Sequence, residues 1–213
     1  MGVKEIGCVE DFADAVASPA PAPGGGSVAA VCGALAAALA RMVAAISLEK
    51  KEPGAAMPAL RKVRRRAETL QDRLLELAEM DSDAYRAVVK AYKAPKKSEA
   101  QRRKRSANIR RTLIRASEVP LETMGSCVEV LQISVKAMEQ GSEVAFTDAA
   151  SASLIAHAAL KGAALNVAVN IASLKKSSDT VRIQRTMTSL LKAGLKAAKR
   201  ADKLVQGRFR GMA

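Results

Sequence analysis

Residues 18–43 read SPAPAPGGGSVAAVCGALAAALARMV. Three prolines alternate with small residues, and Gly24, Gly25 and Gly26 then lead directly into an apolar segment rich in alanine. From Val28 onward the larger apolar residues recur at helical spacing, and the residues between them are mostly alanine and glycine. A helix that is apolar on all sides is expected to lie in the centre of a protein. This stretch therefore predicts a central helix that begins at a glycine-rich turn.

Helical spacing continues along the rest of the chain, and strand patterns are almost absent. A long helix is expected from Pro58 to about Ala94, where apolar residues keep a helical period between charged ones. A short amphipathic helix is expected after Cys8, and its inward side is predicted to consist of Val9, Phe12, Ala13 and Val16.

Four more helices are expected in the second half of the chain. A strongly basic helix starts after Ser98, a suitable N-cap, and is expected to end or kink at Pro120. The next helix stops at Gly141. Residues 146–176 predict a second helix of small and apolar residues, and a last amphipathic helix begins near Asp179.

The predicted fold is an all-α, single-domain bundle of long helices that covers residues 1–213. Two helices, the one that carries Val28 to Ile46 and the one in residues 146–176, lack an obvious solvent face. A homodimer that buries these faces is the preferred explanation. A monomer in which the two alanine-rich helices pack on each other remains the alternative.

Composition restricts the partners. The 213-residue chain carries a net charge of +14, which favours an anionic partner. Aromatic residues make up only 2%, so nucleic-acid binding through base stacking is not expected. Three scattered cysteines fit a reducing cytoplasm, and the apolar run that Arg41 interrupts is too short to predict a membrane span. We expect a soluble, cytoplasmic protein.

The glycine-rich turn is the first candidate site. Backbone N–H groups at the start of a helix are unpaired and carry the positive end of the helix dipole. Gly24, Gly25 and Gly26 would let a ligand reach these groups, and Ser27 adds a hydroxyl. A turn that needs glycine for its backbone shape or for close packing explains the same residues equally well.

Asp148, near the start of the second apolar helix, is the second candidate, either as a helix cap or as a general base or acid. It shares one helical stripe with Asn166 and Asn170. Asp148 and Asn170 would lie about 33 Å apart along a straight helix. The stripe therefore touches one elongated ligand, contributes to two sites or forms a polar seam. His157 is the single histidine, and no metal-ligand spacing accompanies it, so no metal site is predicted.

Three segments together resemble the cyclodeaminase and methenyltetrahydrofolate cyclohydrolase family, which includes the C-terminal domain of formiminotransferase-cyclodeaminase. They are PAPGGGSVAAVCGALAAALARMV, ASEVPLE and FTDAASASLIAHAALKGAALNVAVNIASLK, in that order. The resemblance covers nearly the whole chain. It implies an all-helical homodimer that acts on a tetrahydrofolate one-carbon unit, whose tail carries one or several glutamates, without metal or nucleotide cofactor.

The resemblance also implies roles for particular residues. Asp148 corresponds to an aspartate taken as catalytic in the family, and Lys50 and Lys51 persist in the family's lysine-rich turn. We expect these lysines to neutralise or protonate developing negative charge. The glycines, Ser27 and the two asparagines (Gly24, Gly25, Gly26, Asn166 and Asn170) are the expected substrate-binding residues.

The expected activity is hydrolysis of 5,10-methenyltetrahydrofolate to 10-formyltetrahydrofolate, because 213 residues leave no room for a separate formiminotransferase domain. A formiminotetrahydrofolate cyclodeaminase, which releases ammonia, needs the same kind of acid–base carboxylate and stays an alternative. A non-catalytic basic binding module is a third hypothesis, motivated by the net charge.

Overall fold

The computed structural model describes residues 8–50 and 56–210, and these residues form six α-helices and no strand. A 3₁₀ turn at Glu143–Ala145 precedes the fifth helix. The all-α prediction is confirmed. The helices are α1 (Val9–Ala17), α2 (Gly25–Lys50), α3 (Met57–Tyr92), α4 (Glu99–Gln140), α5 (Phe146–Ala172) and α6 (Ser178–Arg208).

Helices α2 and α5 run antiparallel to each other in the bundle. A Cβ added to Gly25 would lie 3.6 Å from the side chain of Asn166, and one added to Gly162 would lie 3.6 Å from Ala29. At the opposite end of α2, the Ser142 N–H donates a hydrogen bond of 2.7 Å to the Ser47 hydroxyl. The start of α2 therefore lies beside the C-terminal half of α5. Alanine dominates the buried face of both helices, which brings their backbones close together.

Helix α4 continues through Pro120, so the predicted break at this proline is wrong. Proline has no N–H group, and the Ala116 carbonyl one turn earlier therefore lacks its usual partner. The Asn170 side chain donates a hydrogen bond of 2.7 Å to that carbonyl from α5. Pro120 itself is buried in the bundle. Packing and this hydrogen bond thus replace the interaction that proline removes.

The caps of α4 follow the sequence. The Ser98 hydroxyl accepts from the Gln101 N–H, and the Gln101 side chain accepts from the Ser98 N–H, which forms a capping box. Gly141 ends the helix, as predicted.

Helix α1 buries none of its residues, so the predicted inward side of this helix is wrong. Val9 is 82% exposed. The spacing of residues 9–17 correctly predicted a helix. The proline-rich segment that follows α1 does not place the apolar side of α1 against the bundle.

Two helical segments are long and apolar enough to cross a membrane, Gly25–Glu49 and Glu143–Ala172, and about half of each is buried inside the bundle. Each also presents apolar side chains to solvent. On α5, Leu154, Leu165 and Val169 are 63%, 72% and 62% exposed. On α2, Leu35 and Met42 are exposed as well. We call these five residues the apolar face.

Candidate active site

The glycine-rich turn divides into an open part and a closed part. Gly25 is exposed, and a Cβ added to Gly24 would meet nothing within 4 Å. A Cβ added to Gly26 would instead overlap the carboxylate of Asp81. Ser27 is completely buried, so its side chain does not contact a ligand at the surface. It can affect binding only through the residues to which it is hydrogen-bonded.

Asp81, on α3, is the acidic residue at this turn that sequence reasoning missed. Its carboxylate accepts a hydrogen bond of 3.1 Å from the Ser27 hydroxyl and another from the Ser27 backbone N–H. The same hydroxyl lies 3.0 Å from that of Ser82. A signal was present, because Asp81 stands in register with buried Leu74, Leu77 and Ala78, where an apolar residue is expected.

Burial raises the pKa of the Asp81 carboxyl above its ordinary value, although both hydrogen bonds from Ser27 act in the opposite direction. The ionised carboxylate is therefore destabilised in the folded protein relative to water. Asp81 nevertheless lies where the start of α2 supplies unpaired N–H groups and the positive end of its dipole.

The two candidate asparagines of α5 lie at the same end of the bundle as the turn. The Asn166 side chain lies beside Gly25 and donates a hydrogen bond of 3.0 Å to the Gly162 carbonyl. Asn170 lies one turn further along α5 and donates to Ala116, as described above. The structure thus brings Gly24, Gly25 and Asn166 together.

Asp148 lies in the first turn of α5 and is partly buried. Its side chain makes no cap hydrogen bond, so the interpretation of Asp148 as a helix cap is wrong. Within residues 8–49 and 56–210, no hydrogen bond or ion pair of the Asp148 carboxylate is found. The carboxylate is therefore available to a ligand in this part of the chain.

Asp148 and the glycine turn lie at opposite ends of one protomer. Eighteen residues of α5 separate Asp148 from Asn166, which corresponds to about 27 Å at 1.5 Å per residue. The end of α2, where Lys50 stands, lies at the Asp148 end of the bundle. The side chain of Lys50 and the whole of Lys51 lie outside the described residues.

A basic pocket of about 560 Å³ lies beyond Asn170, between α4 and the end of α5. Arg103, Arg110 and Lys175 line it, and Ser106 and Ser173 add hydroxyl groups. Asp179 pairs with Arg110 at 2.7 Å, so part of the positive charge is already compensated. Arg103 pairs with Glu99 at 2.6 Å. Of the three cations that line the pocket, Lys175 is the one without an ion pair to a described residue, and it can receive an anionic group of a ligand.

The sequence matches the formiminotransferase-cyclodeaminase family over residues 8–189, and the chain belongs to this family.

Similar proteins include two enzymes with different activities. Methenyltetrahydrofolate cyclohydrolase of Methylorubrum extorquens is 38% identical over 166 residues, which cover 78% of this chain and 80% of that protein. Formimidoyltransferase-cyclodeaminase of Gallus gallus is 30% identical over 181 residues, but the match covers only 33% of that longer protein.

The crystal structure of formiminotetrahydrofolate cyclodeaminase from Thermotoga maritima has the same fold. It matches this chain with a TM-score of 0.86 and 26% identity, over 96% of this chain and 98% of the other. The family resemblance seen in the sequence is thus confirmed.

Proposed function

We propose that this chain is a methenyltetrahydrofolate cyclohydrolase, which hydrolyses 5,10-methenyltetrahydrofolate to 10-formyltetrahydrofolate. The observation that carries the proposal is the match to the Methylorubrum cyclohydrolase, which extends over four fifths of that protein's length. The match to the longer vertebrate enzyme covers one third of its length and supports the same class of folate substrate.

The chemistry requires a base and a means to orient the substrate. The methenyl carbon bridges two nitrogens and carries a delocalised positive charge, so water attacks it. Asp148 takes a proton from this water while the carbon–oxygen bond forms. The bond from the carbon to the ring nitrogen then breaks, the hydroxyl proton moves to that nitrogen, and a formyl group remains on the other nitrogen. The proton that Asp148 took is released to water, which balances the lost positive charge of the substrate. These reaction steps need neither a metal nor a nucleotide.

We propose further that the active enzyme is a homodimer with sites shared between protomers. The apolar face of α2 and α5 is an exposed surface that a second copy would cover. A two-fold axis that passes between the two apolar faces, perpendicular to the helices, would pair the helices of the two protomers antiparallel. This would place the Asp148 of one protomer opposite the glycine turn of the other. The two groups, about 27 Å apart in one chain, would then form one site.

The basic pocket suits the anionic end of the same substrate. Folate carries a glutamate tail, and Lys175 offers a cation to its carboxylates, while Arg103 would have to exchange its pairing with Glu99 to do the same. The pocket lies at the end of α5 that carries Asn166 and Asn170, so an elongated folate would reach it from the glycine turn.

The test of activity follows the loss of the methenyl chromophore. Asp148→Asn should reduce kcat by at least about 10²-fold, the usual contribution of a general base, with an unchanged melting temperature. Asp202→Asn, which changes an exposed aspartate of α6, is the matched control and should behave as wild type. Full activity of Asp148→Asn would remove Asp148 from the mechanism.

The shared site is tested by mixing two inactive variants, one at Asp148 and one at Asn166. Random exchange of protomers should restore about a quarter of wild-type activity, because half of the dimers then contain one intact site of two. If each protomer holds a complete site, mixing will restore nothing.

Cyclodeaminase activity is the second candidate, favoured by the close structural match to the Thermotoga enzyme. In that reaction a folate nitrogen attacks the formimino carbon and ammonia leaves. Ammonia release from formiminotetrahydrofolate, measured beside methenyl hydrolysis on the same preparation, separates the two activities.

A further inference from the structure

The carboxylate of Asp81 occupies the start of α2 as an anion supplied by another helix. It lies against the Cα of Gly26 and accepts hydrogen bonds from the hydroxyl and the backbone N–H of Ser27. Any side chain at position 26 would overlap it. Position 26 must therefore be glycine, because only a residue without a side chain leaves space for the Asp81 carboxylate of α3.

The N-terminal amides of a helix favour one anionic partner, and here the protein supplies it. The closed part of the turn, Gly26 and Ser27, is thus filled from inside the protein. The open part, Gly24 and Gly25, remains at the surface beside Asn166. An anionic group of a substrate cannot take the place at Gly26 without displacing Asp81.

The charge is what distinguishes Asp81 from an asparagine at the same position. Asparagine has the same shape and also accepts hydrogen bonds from backbone N–H groups at helix starts. Burial disfavours the charge of Asp81, which an asparagine would not carry. The hydrogen bonds from Ser27 and the positive end of the α2 dipole act in the opposite direction and hold the charged group at the turn.

We propose that Asp81 is a positioning residue for the reaction: it closes the amides of Gly26 and Ser27 to anions and fixes the open Gly24–Gly25 backbone beside Asn166, where the folate is received. This inference rests on the proposed function. Asp81 acts through the turn, and its loss weakens substrate binding more than it slows the chemical step.

The first experiment compares Asp81→Asn with Asp83→Asn, an exposed aspartate two residues further along α3. Asp81→Asn should raise KM for methenyltetrahydrofolate by about tenfold, the scale of one lost charged hydrogen bond, with less change in kcat. Its melting temperature at neutral pH should equal or exceed that of wild type. Asp83→Asn should match wild type in KM and kcat.

Wild-type KM in a folded Asp81→Asn protein would overturn the proposal. So would a loss of activity that only parallels a lower melting temperature, because Asp81 would then be a structural cap.

The second experiment needs no enzyme activity, so it separates this inference from the proposed function. Asp81→Ala should expose the amides of Gly26 and Ser27 and create a site for inorganic sulfate. Sulfate should then raise the melting temperature of Asp81→Ala more than that of wild type, each compared with chloride at equal ionic strength. In the double variant Asp81→Ala/Gly26→Ala, the methyl group at position 26 occupies the space that the Asp81 carboxylate left. The extra rise in melting temperature with sulfate should then vanish.

An equal effect of sulfate on wild type and Asp81→Ala would show that Asp81 does not block an anion site, and the proposal would be wrong. Failure of the wild-type protein to hydrolyse the methenyl compound would refute the proposed function and leave the sulfate result to decide the role of Asp81.

Discussion

The hydrogen bond from Asn170 to Ala116 makes a quantitative prediction about the helix that contains a buried proline. Replacing Asn170 by alanine removes the donor and leaves the Ala116 carbonyl without a partner, because residue 120 has no N–H group. Replacing Pro120 by alanine supplies that N–H from within the helix. The cost of losing Asn170 should therefore depend on the residue at position 120.

The magnitude follows from the burial of the carbonyl. Ala116 is 6% exposed, and an unsatisfied buried polar group costs about 1–3 kcal/mol. We expect Asn170→Ala to lower the free energy of unfolding by about 2 kcal/mol in the Pro120 protein, or the melting temperature by about 4–8 °C. In the Pro120→Ala background the same substitution should cost about 0.5 kcal/mol or less, since the helical hydrogen bond is restored.

Urea unfolding of the wild type, both single variants and the double variant completes the thermodynamic cycle. All four proteins should be measured at one concentration, because association would make stability concentration-dependent. The coupling energy should be about 1.5 kcal/mol, well above the scatter expected for independent sites. Equal costs of Asn170→Ala in the two backgrounds would show that Asn170 does not compensate for the proline.

Three further predictions concern packing, thiol reactivity and pH. Gly33→Ala should lower the free energy of unfolding by about 1–3 kcal/mol in a denaturant titration, because its Cβ would lie 3.0 Å from the sulfur of Cys127 and 3.2 Å from Leu74; a neutral effect would mean that these side chains move aside freely. Burial raises the pKa of the Cys127 thiol to about 12, so iodoacetamide at mildly alkaline pH should modify exposed Cys8 in the native protein and spare Cys127, as mass spectrometry of the peptides would show. The raised pKa of Asp81 means that its contribution to stability is complete below about pH 3.8 and is lost as the pH rises through the folded-state pKa. The difference in unfolding free energy between Asp81→Asn and wild type should accordingly move in favour of the variant from acid to neutral pH, and a difference independent of pH would contradict the burial of this carboxyl.

The net charge of +14 overstates the positive charge that a ligand can use, because several arginines are paired with acidic side chains. Of the arginines on α4, Arg103 pairs with Glu99 and Arg110 with Asp179, and other arginines of the bundle pair with acids on neighbouring helices. Exposed pairs of this kind contribute little to stability. At the pocket at the end of α5, these pairs leave Lys175 as the cation without an ion pair to a described residue, and the proposed contact with a folate tail depends mainly on it.

The sequence by itself determined the all-α class, most of the helices and the family, but not the continuity of α4 through Pro120. Helical spacing, the capping box at Ser98 and the helix end at Gly141 are local features. They depend on hydrogen bonds and side-chain preferences within a few residues, so they can be predicted without knowing the tertiary structure. The glycine-initiated apolar helix likewise carried the family resemblance, because its residues are contiguous.

Only the tertiary structure decided what the candidate residues contact. Continuity of α4 through Pro120 depends on Asn170, fifty residues later, and the closed part of the glycine turn depends on Asp81, which comes from a different helix. The separation of Asp148 from that turn depends on the antiparallel packing of α2 and α5. Each of these facts arises from side chains that are distant in sequence, and the spacing within one segment contains no information about which distant group will satisfy a carbonyl, fill a space or face a ligand.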